Sequence, residues 1–165
     1  MNTLQTALIG LTSQDPIKFD NSYDALLLDD NESLNNDLID SIETNHNSPE
    51  LTKTLLQILC FRATQIKNEN RWSQRIQGTL TFGRYIHLLL NAAEDVNPEL
   101  RLEAIQCLSD MFEHNMSAER LAVLLEHYPR SIYPLRYPQC VNDTLDTLEH
   151  ITNSDVDVNV QLLAA

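Results

Sequence analysis

The sequence has little glycine and no long apolar run. Its 165 residues include only 3 glycines, so neither a glycine-rich phosphate loop nor a loop-rich fold is expected. No apolar run approaches the roughly 20 residues that span a bilayer. The segment Met1–Leu11 lacks the basic start and cleavage pattern of a signal peptide. The default expectation is therefore a cytoplasmic location, or a nuclear one in a eukaryote.

Cysteine is also scarce, and catalytic motifs are missing. Cys60, Cys107 and Cys140 are widely spaced and form no CxxC pair, which disfavours a disulfide framework. The first two fall in helical patterns, where a free thiol acts as a small buried hydrophobe. The HExxH, GxSxG and Walker patterns are all absent from the sequence. We therefore predict that the protein is not an enzyme and has no cofactor and no metal site.

Basic residues are few, and the net charge is −13. Ten acids and one base in residues 15–50 give −9, four acids and seven bases in 51–101 give +3, and ten acids and three bases in 102–165 give −7. Direct binding to nucleic acid is disfavoured, because phosphate contact needs a basic face. The acidic flanks suit a basic protein partner and a steered encounter, although acids also serve simply to keep a domain soluble.

Apolar residues recur at helical spacing, and helix starts are well marked. Ser48-Pro49-Glu50 and Asn97-Pro98-Glu99 each supply an N-cap, a proline at the first helical position and an acid in the first turn. The pattern predicts helices at residues 33–43, 49–67, 71–93, 98–114, 117–128 and 138–151. Short helices are expected at 3–11 and 23–28, with a turn or loop from Asp15-Pro16 to about Asp20. Since no segment alternates with period two for long, the expected fold class is all-α.

The strongest internal signal is self-similarity on the scale of a helix pair. Residues 48–59 align with residues 97–108 at an offset of 49, with identical proline, glutamate, leucine and glutamine positions. A weaker copy follows at a further offset of 60, where Asp155-Val156 matches Asp95-Val96. Periods near 40–50 residues are typical of paired-helix solenoids.

Residues 95–108 resemble the turn and second helix of a HEAT repeat. In that family an aspartate in the turn is followed six residues later by a basic residue, and then by small and leucine positions. The matching residues here are Asp95, Pro98, Arg101, Ala104 and Leu108. The resemblance implies that the aspartate caps the second helix and pairs with the basic side chain of a neighbouring repeat.

The resemblance weakens on either side of this segment. In the first unit His46 stands in the aspartate position and Thr52 in the arginine position, and in the third unit Asp155 is followed by Gln161. No Asp–Arg ladder is therefore expected through the whole stack. We predict an irregular α-α superhelix of HEAT-like helical hairpins over 33–165, preceded by an acidic cap or partly ordered segment at 1–32.

The sequence ends on apolar residues. Leu162-Leu-Ala-Ala165 lacks the polar cap that solenoid ends normally need. The two expectations are that this end packs onto a partner or another copy of the chain, or that the sequence is the first part of a longer protein.

Two surfaces are candidates for partner binding. The first is a connector with three Tyr-Pro steps and two arginines, residue types enriched at interface hot spots: Tyr128, Arg130, Tyr133, Arg136 and Tyr137. The second is a basic pocket that would hold an acidic segment: Arg71, Arg75 and Arg84 with Trp72. The alternatives are a loop whose tyrosines pack on neighbouring helices and a solvated helix face.

Two further patterns have a functional and a structural interpretation. Oxygen-bearing side chains in residues 29–40 are spaced as in an EF-hand loop, but Leu34 replaces the glycine at its sixth position. A capped acidic helix is the alternative. Three Glu-His neighbours, at 113–114, 126–127 and 149–150, point in different directions on a helix, and their histidines suit helix C-termini better than a metal.

The leading hypothesis is a non-catalytic adaptor or scaffold that binds a protein partner on its helical-repeat surface. The alternative is an acidic inhibitor or immunity protein that neutralises a basic toxin or nuclease, with nucleic-acid mimicry as one route. The net charge favours the inhibitor, whereas the unfinished third repeat favours the adaptor.

Overall fold

A computed structural model describes residues 3–31, 33–44, 48–64, 76–115 and 137–164. Within these ranges every regular element is a helix, which confirms the all-α class. The helices are α1 (Thr3–Leu11), α2 (Pro16–Leu28), α3 (Ser33–Thr44), α4 (Pro49–Thr64), α5 (Ile76–Ala93), α6 (Pro98–Asn115), α7 (Tyr137–Ser154) and α8 (Val158–Ala164). The helix expected at 117–128 lies outside the described residues.

Helices that follow one another in the chain form packed pairs. Helix α1 packs on α2, α3 on α4, α5 on α6 and α7 on α8. The second helices of the last three pairs lie side by side, since α6 contacts both α4 and α8. The first helices do the same, since α5 contacts both α3 and α7. From α3 onward the pairs are therefore stacked in chain order, each against its neighbour.

The helix starts predicted from Pro49 and Pro98 are confirmed. Helices α4 and α6 begin at these two prolines and carry an acid in the first turn. Ahead of α6, Asn97 Oδ1 accepts a hydrogen bond from the Glu99 amide at 2.9 Å. An N-cap of this kind satisfies one of the amide groups that have no partner within the helix.

The turn predicted between residues 15 and 20 is wrong, because α2 runs unbroken from Pro16 to Leu28. Asp15 is its N-cap and accepts the amide hydrogen two residues on, at 3.1 Å. The Phe19 and Tyr23 rings stack with centroids 6.1 Å apart, and Leu26 is buried. The sequence prediction failed because the few apolar residues of this segment are separated by polar ones, so their helical spacing is weak. An Asp-Pro pair can also start a helix, with the proline at its first position.

Residues 29–31 and 33–40 form a capped helix start rather than an ion-binding loop. Asn31 Oδ1 accepts the Ser33 amide at 3.1 Å, and α3 begins at Ser33. Leu34, Leu38 and Ile39 are buried on one face of α3. The apolar side chains therefore follow helical spacing into the core, as the structural interpretation predicted.

The core runs through the stacked pairs. Its fully buried leucines and isoleucines each contribute roughly 1.5–3 kcal/mol: Leu38, Ile39, Leu55, Leu56, Ile58, Leu59, Ile86, Leu89, Ile105 and Leu108. Ala104 is also fully buried. Cys60 and Cys107 are buried free thiols, as the sequence predicted. Hydrogen bonding to Cys60 and burial raise the pKa of the Cys107 thiol, which keeps it protonated.

Helices α1 and α2 approach closely at Gly10. A Cβ placed there would collide with the Ser22 side chain and lie 3.1 Å from the Lys18 carbonyl oxygen. Although alanine favours a helix over glycine by about 1 kcal/mol, we expect Gly10→Ala to lower the free energy of unfolding by about 1–3 kcal/mol. Urea denaturation measures this change. The same substitution should cost less in a Ser22→Gly background, and a Gly10→Ala variant more stable than the wild type would contradict the close approach.

Candidate functional site

Most of the predicted contact residues lie outside the described residues. These are Tyr128, Arg130, Tyr133 and Arg136 of the Tyr-Pro connector, and Arg71, Trp72 and Arg75 of the basic pocket. Tyr137 is the first residue of α7. Both surfaces therefore stay predictions, and the candidate site must be sought among the described residues.

Arg84 is bound within the chain. Its Nη2 lies 2.7 Å from Asp40 Oδ1 and 3.0 Å from Glu43 Oε2, and its Nη1 donates to Asn36 Oδ1 at 3.2 Å. The hydrogen bond to Asp40, together with both nearby carboxylates, raises the pKa of the guanidinium. Arg84 thus links α5 to α3 through polar side chains of the protein itself.

Arg101 and Asp155, both singled out by the repeat pattern, form a buried ion pair. Nε of Arg101 donates to Asp155 Oδ2 at 2.8 Å, and Nη2 donates to Oδ1 at 2.9 Å. The two side chains are only 10 % and 7 % exposed. Burial raises the pKa of Asp155, but hydrogen bonds from Arg101 and from the backbone outweigh it, so the pKa is lowered. The pair joins α6 to the turn before α8, where the resemblance implied a contact between neighbouring units.

The turns before α6 and α8 have matching hydrogen bonds. Asp95 and Asp155 each accept a hydrogen bond at 2.8 Å from the backbone amide two residues later, which belongs to Asn97 or Asp157. The side chain of that later residue in turn accepts the next amide but one at 2.9 Å and so caps α6 or α8. Arg101 Nη1 also donates back to the Asp95 carbonyl oxygen at 3.0 Å. Gln161 makes the equivalent bond to the Asp155 carbonyl oxygen. In the turn before α8, Gln161 therefore makes the bond that Arg101 makes in the turn before α6.

A groove of about 250 Å³ lies on the face shared by α4, α6 and α8. Its lining residues are Lys53, Glu99, Leu102, Glu103, Gln106 and Leu163, and we call it the α4–α6–α8 groove. At about 30 Å³ for each water, it has room for about eight waters or one long side chain. Sequence reasoning missed this site, because its residues come from three helices.

One stripe of α6 supplies most of the polar groups on this face. Its members follow one another at steps of four, three and four residues, which places them on one side of the helix: Glu99, Glu103, Gln106 and Asp110. This spacing is visible in the sequence and is the signal that could have located the groove.

Helix α4 faces the stripe and supplies one base to it. Lys53 Nζ lies 3.4 Å from Glu99 Oε2, and Gln57 Nε2 donates to Glu103 Oε2 at 2.7 Å. Gln57 carries no charge, and the exposed Glu50 lies one turn before Lys53 on α4. Carboxylates therefore outnumber the single ammonium group, and the face is negative.

Leu102 and Leu163 line the groove beside the carboxylates, and further apolar side chains are exposed on α4 and α8. Leu102 is half-buried in the groove, Leu163 is 38 % exposed and its neighbour Leu162 is 72 % exposed. Phe61, one turn beyond Gln57 on α4, is 41 % exposed. Exposed apolar side chains rimmed by polar groups are typical of protein-binding surfaces.

A second hollow of about 400 Å³ lies between the turn before α6 and the end of α7. Its polar groups bond mainly to one another: Arg101 to Asp155, and His150 Nε2 to Ser154 Oγ at 3.2 Å. Across the described part of the chain, no three histidine, cysteine or acidic side chains are grouped so as to hold a metal ion. The α4–α6–α8 groove is therefore the better candidate site.

Comparison with known proteins adds no relative: no family model, no curated protein and no solved structure matches the chain. Among the described helices, none is long and apolar enough to cross a membrane. The groove and the faces around it are thus what indicate a function.

Proposed function

We propose that the chain is a non-catalytic module, an adaptor or scaffold of the cytoplasm or nucleus, that holds a protein partner on the face of α4, α6 and α8. The observation that carries the proposal is the groove in which carboxylates of α6 adjoin the exposed Leu163 of α8. At about 250 Å³ it is smaller than the ~300–1,000 Å³ of typical small-molecule pockets. A protein interface needs a wider surface, about 800 Å² on each side, so a partner held here would also cover the exposed parts of α4, α6 and α8 around the groove.

Stacked helix pairs support the same proposal. Helical-repeat proteins bind partners on extended faces formed by neighbouring helices, and the stacked pairs would offer such a face. The side-by-side order of α4, α6 and α8, and the Arg101–Asp155 pair between neighbouring units, also support the HEAT-like interpretation.

An acidic inhibitor of a basic toxin or nuclease is the second candidate function. The carboxylate stripe on α6 supports it as well, because a basic active-site cleft attracts such a stripe. The two candidates differ in outcome: an inhibitor abolishes its partner's activity on nucleic acid, whereas an adaptor leaves it intact.

Affinity capture with matched variants tests the proposed face. Leu163→Asp introduces a charge into the groove, and Leu145→Asp introduces the same charge on α7, where Leu145 is similarly exposed at 46 %. We expect wild type and Leu145→Asp to recover the same partner, and Leu163→Asp to recover about tenfold less, a loss of about 1.4 kcal/mol. Equal recovery with both variants would remove the groove from the binding site.

A further inference from the structure

We infer that the α4–α6–α8 groove binds a basic amphipathic helix of the partner protein. The aliphatic part of one arginine lies over Leu102 and Leu163 with its guanidinium at Glu103, and a second base four residues away lies at Glu99. This inference rests on the proposed function, because it specifies the partner for the same face.

The groove combines an apolar surface with carboxylates, and one arginine side chain can contact both. Leu102 and Leu163 provide an apolar surface, and Glu99 and Glu103 lie beside it. A long basic side chain packs its methylene groups on apolar surface while its charged end reaches polar groups. The planar guanidinium then matches the geometry of carboxylate oxygens better than an ammonium group does.

The carboxylates keep the capacity to accept such a group. Glu99 is bound to Lys53 at 3.4 Å, a pair in which the Glu99 side chain is 60 % exposed. Glu103 accepts from Gln57 through Oε2, and Cys107 Sγ lies 3.7 Å from Oε1. A carboxylate has about four lone-pair sites, so these contacts leave room for a guanidinium on both residues.

The spacing of the acids favours a helical ligand. Glu99 and Glu103 are four residues apart on α6, which corresponds to about 6 Å along the axis. Two basic residues four apart on a partner helix have the same separation. An extended peptide spaces side chains of one face at about 6.6–6.8 Å, which matches the separation of these acids less closely.

Charge selects this occupant over the other classes of macromolecule. Nucleic acid and acidic peptides are repelled by the carboxylate stripe. A second copy of the chain, although the exposed leucines of α8 would suit one, brings a net charge of −13 to a negative face. A basic helix is attracted by the same charge and covers the exposed leucines.

A synthetic helical peptide tests the inference. The probe has arginines four residues apart with leucines on the adjacent stripe, and a second peptide has glutamates in place of the arginines. Fluorescence anisotropy measures binding to wild type, to a Glu99→Gln/Glu103→Gln variant, and to a control that removes two exposed acids of α7, Asp146→Asn/Glu149→Gln. We expect the groove variant to bind the arginine peptide about tenfold more weakly than wild type, and the α7 variant to bind it as wild type does.

Two results of the anisotropy measurement would contradict the inference. Equal weakening in both variants would show attraction to overall charge. Equal binding of the glutamate peptide would show apolar adhesion. If sedimentation shows a dimer that Leu163→Asp dissociates, a second copy occupies the groove instead. If the arginine peptide does not bind while Leu163→Asp still reduces partner capture, the inference fails and the proposed function stands. If capture is unaffected by Leu163→Asp, the proposed function fails.

Discussion

Replacing Arg62 by alanine is expected to lower the free energy of unfolding by about 3–5 kcal/mol, because charged hydrogen bonds worth about 1.5–3 kcal/mol each are lost from a buried site. Arg62 is 4 % exposed. Its Nε donates to Asn35 Oδ1 at 2.7 Å, and Nη1 donates to the carbonyl oxygens of Leu26 at 2.7 Å and Asp29 at 2.6 Å. Nη2 donates to the Asn31 carbonyl oxygen at 3.2 Å.

These bonds join α4 to the end of α2, to the connection that follows it and to the first turn of α3. Burial lowers the pKa of Arg62, while Asp29 and Asp30 act through space to raise it. The carbonyl groups at the end of α2 also carry the negative end of the helix dipole, which favours a cation there. Without the guanidinium, several buried acceptors lose their donor, and the N-terminal helix pair loses its polar attachment to α4.

Arg84→Ala is the matched control for this substitution. Arg84 also bridges two helices, but its side chain is 36 % exposed and its acidic partners are more exposed still. We expect a loss of about 0–1 kcal/mol for this surface ion pair. Urea denaturation followed by circular dichroism compares the two variants, and similar losses would contradict the role given to Arg62. Arg62→Lys should recover little, because an ammonium group cannot reproduce the fork of donors.

Local signals were enough to predict most helix starts, but not the contacts between distant helices. The caps ahead of Pro49 and Pro98 are read from adjacent residues, so both starts were predictable. Arg62 lies among apolar residues near the end of α4, and its acceptors lie 27 to 36 residues earlier in the chain. Nothing near it in sequence indicates that it binds the end of α2.

The candidate site also has parts that the sequence predicts and parts that it does not. The resemblance implied a contact between the aspartate of one unit and the basic residue of a neighbouring unit. The aspartate recurs at 95 and 155, and Arg101 is the single arginine in the repeated position. The groove exists because α8 lies beside α6, and the spacing of residues in the sequence does not predict that contact. Only the acidic stripe of α6 was visible beforehand, and without Leu163 it is no different from a solvated helix face.

Asp155→Asn is expected to cost about 2–3 kcal/mol at neutral pH, because it removes the charged partner of Arg101 and leaves the guanidinium with only the Asp95 and Val96 carbonyl oxygens. The folded pKa of Asp155 is lowered, so the pair contributes stability that is fully present above the unfolded value near 4. That contribution is lost as the pH falls through the folded pKa. Urea denaturation should therefore show a large difference between wild type and variant at pH 7 that shrinks below about pH 4. A difference that does not depend on pH would contradict the pair's role.

The same pair should also control the groove. Arg101 on α6 holds the turn from which α8 begins, and α8 carries Leu163 to the side of Leu102. At a temperature where Asp155→Asn remains folded, we expect it to weaken partner capture even though Asp155 lies outside the groove. Arg62→Ala is the control for stability, because it destabilises the fold at least as much without changing a residue that lines the groove, and it should leave capture unchanged while the variant remains folded. If Asp155→Asn lowers stability but leaves capture unchanged, α8 is not needed for the binding face, and the acidic stripe of α6 would bind the partner without Leu163.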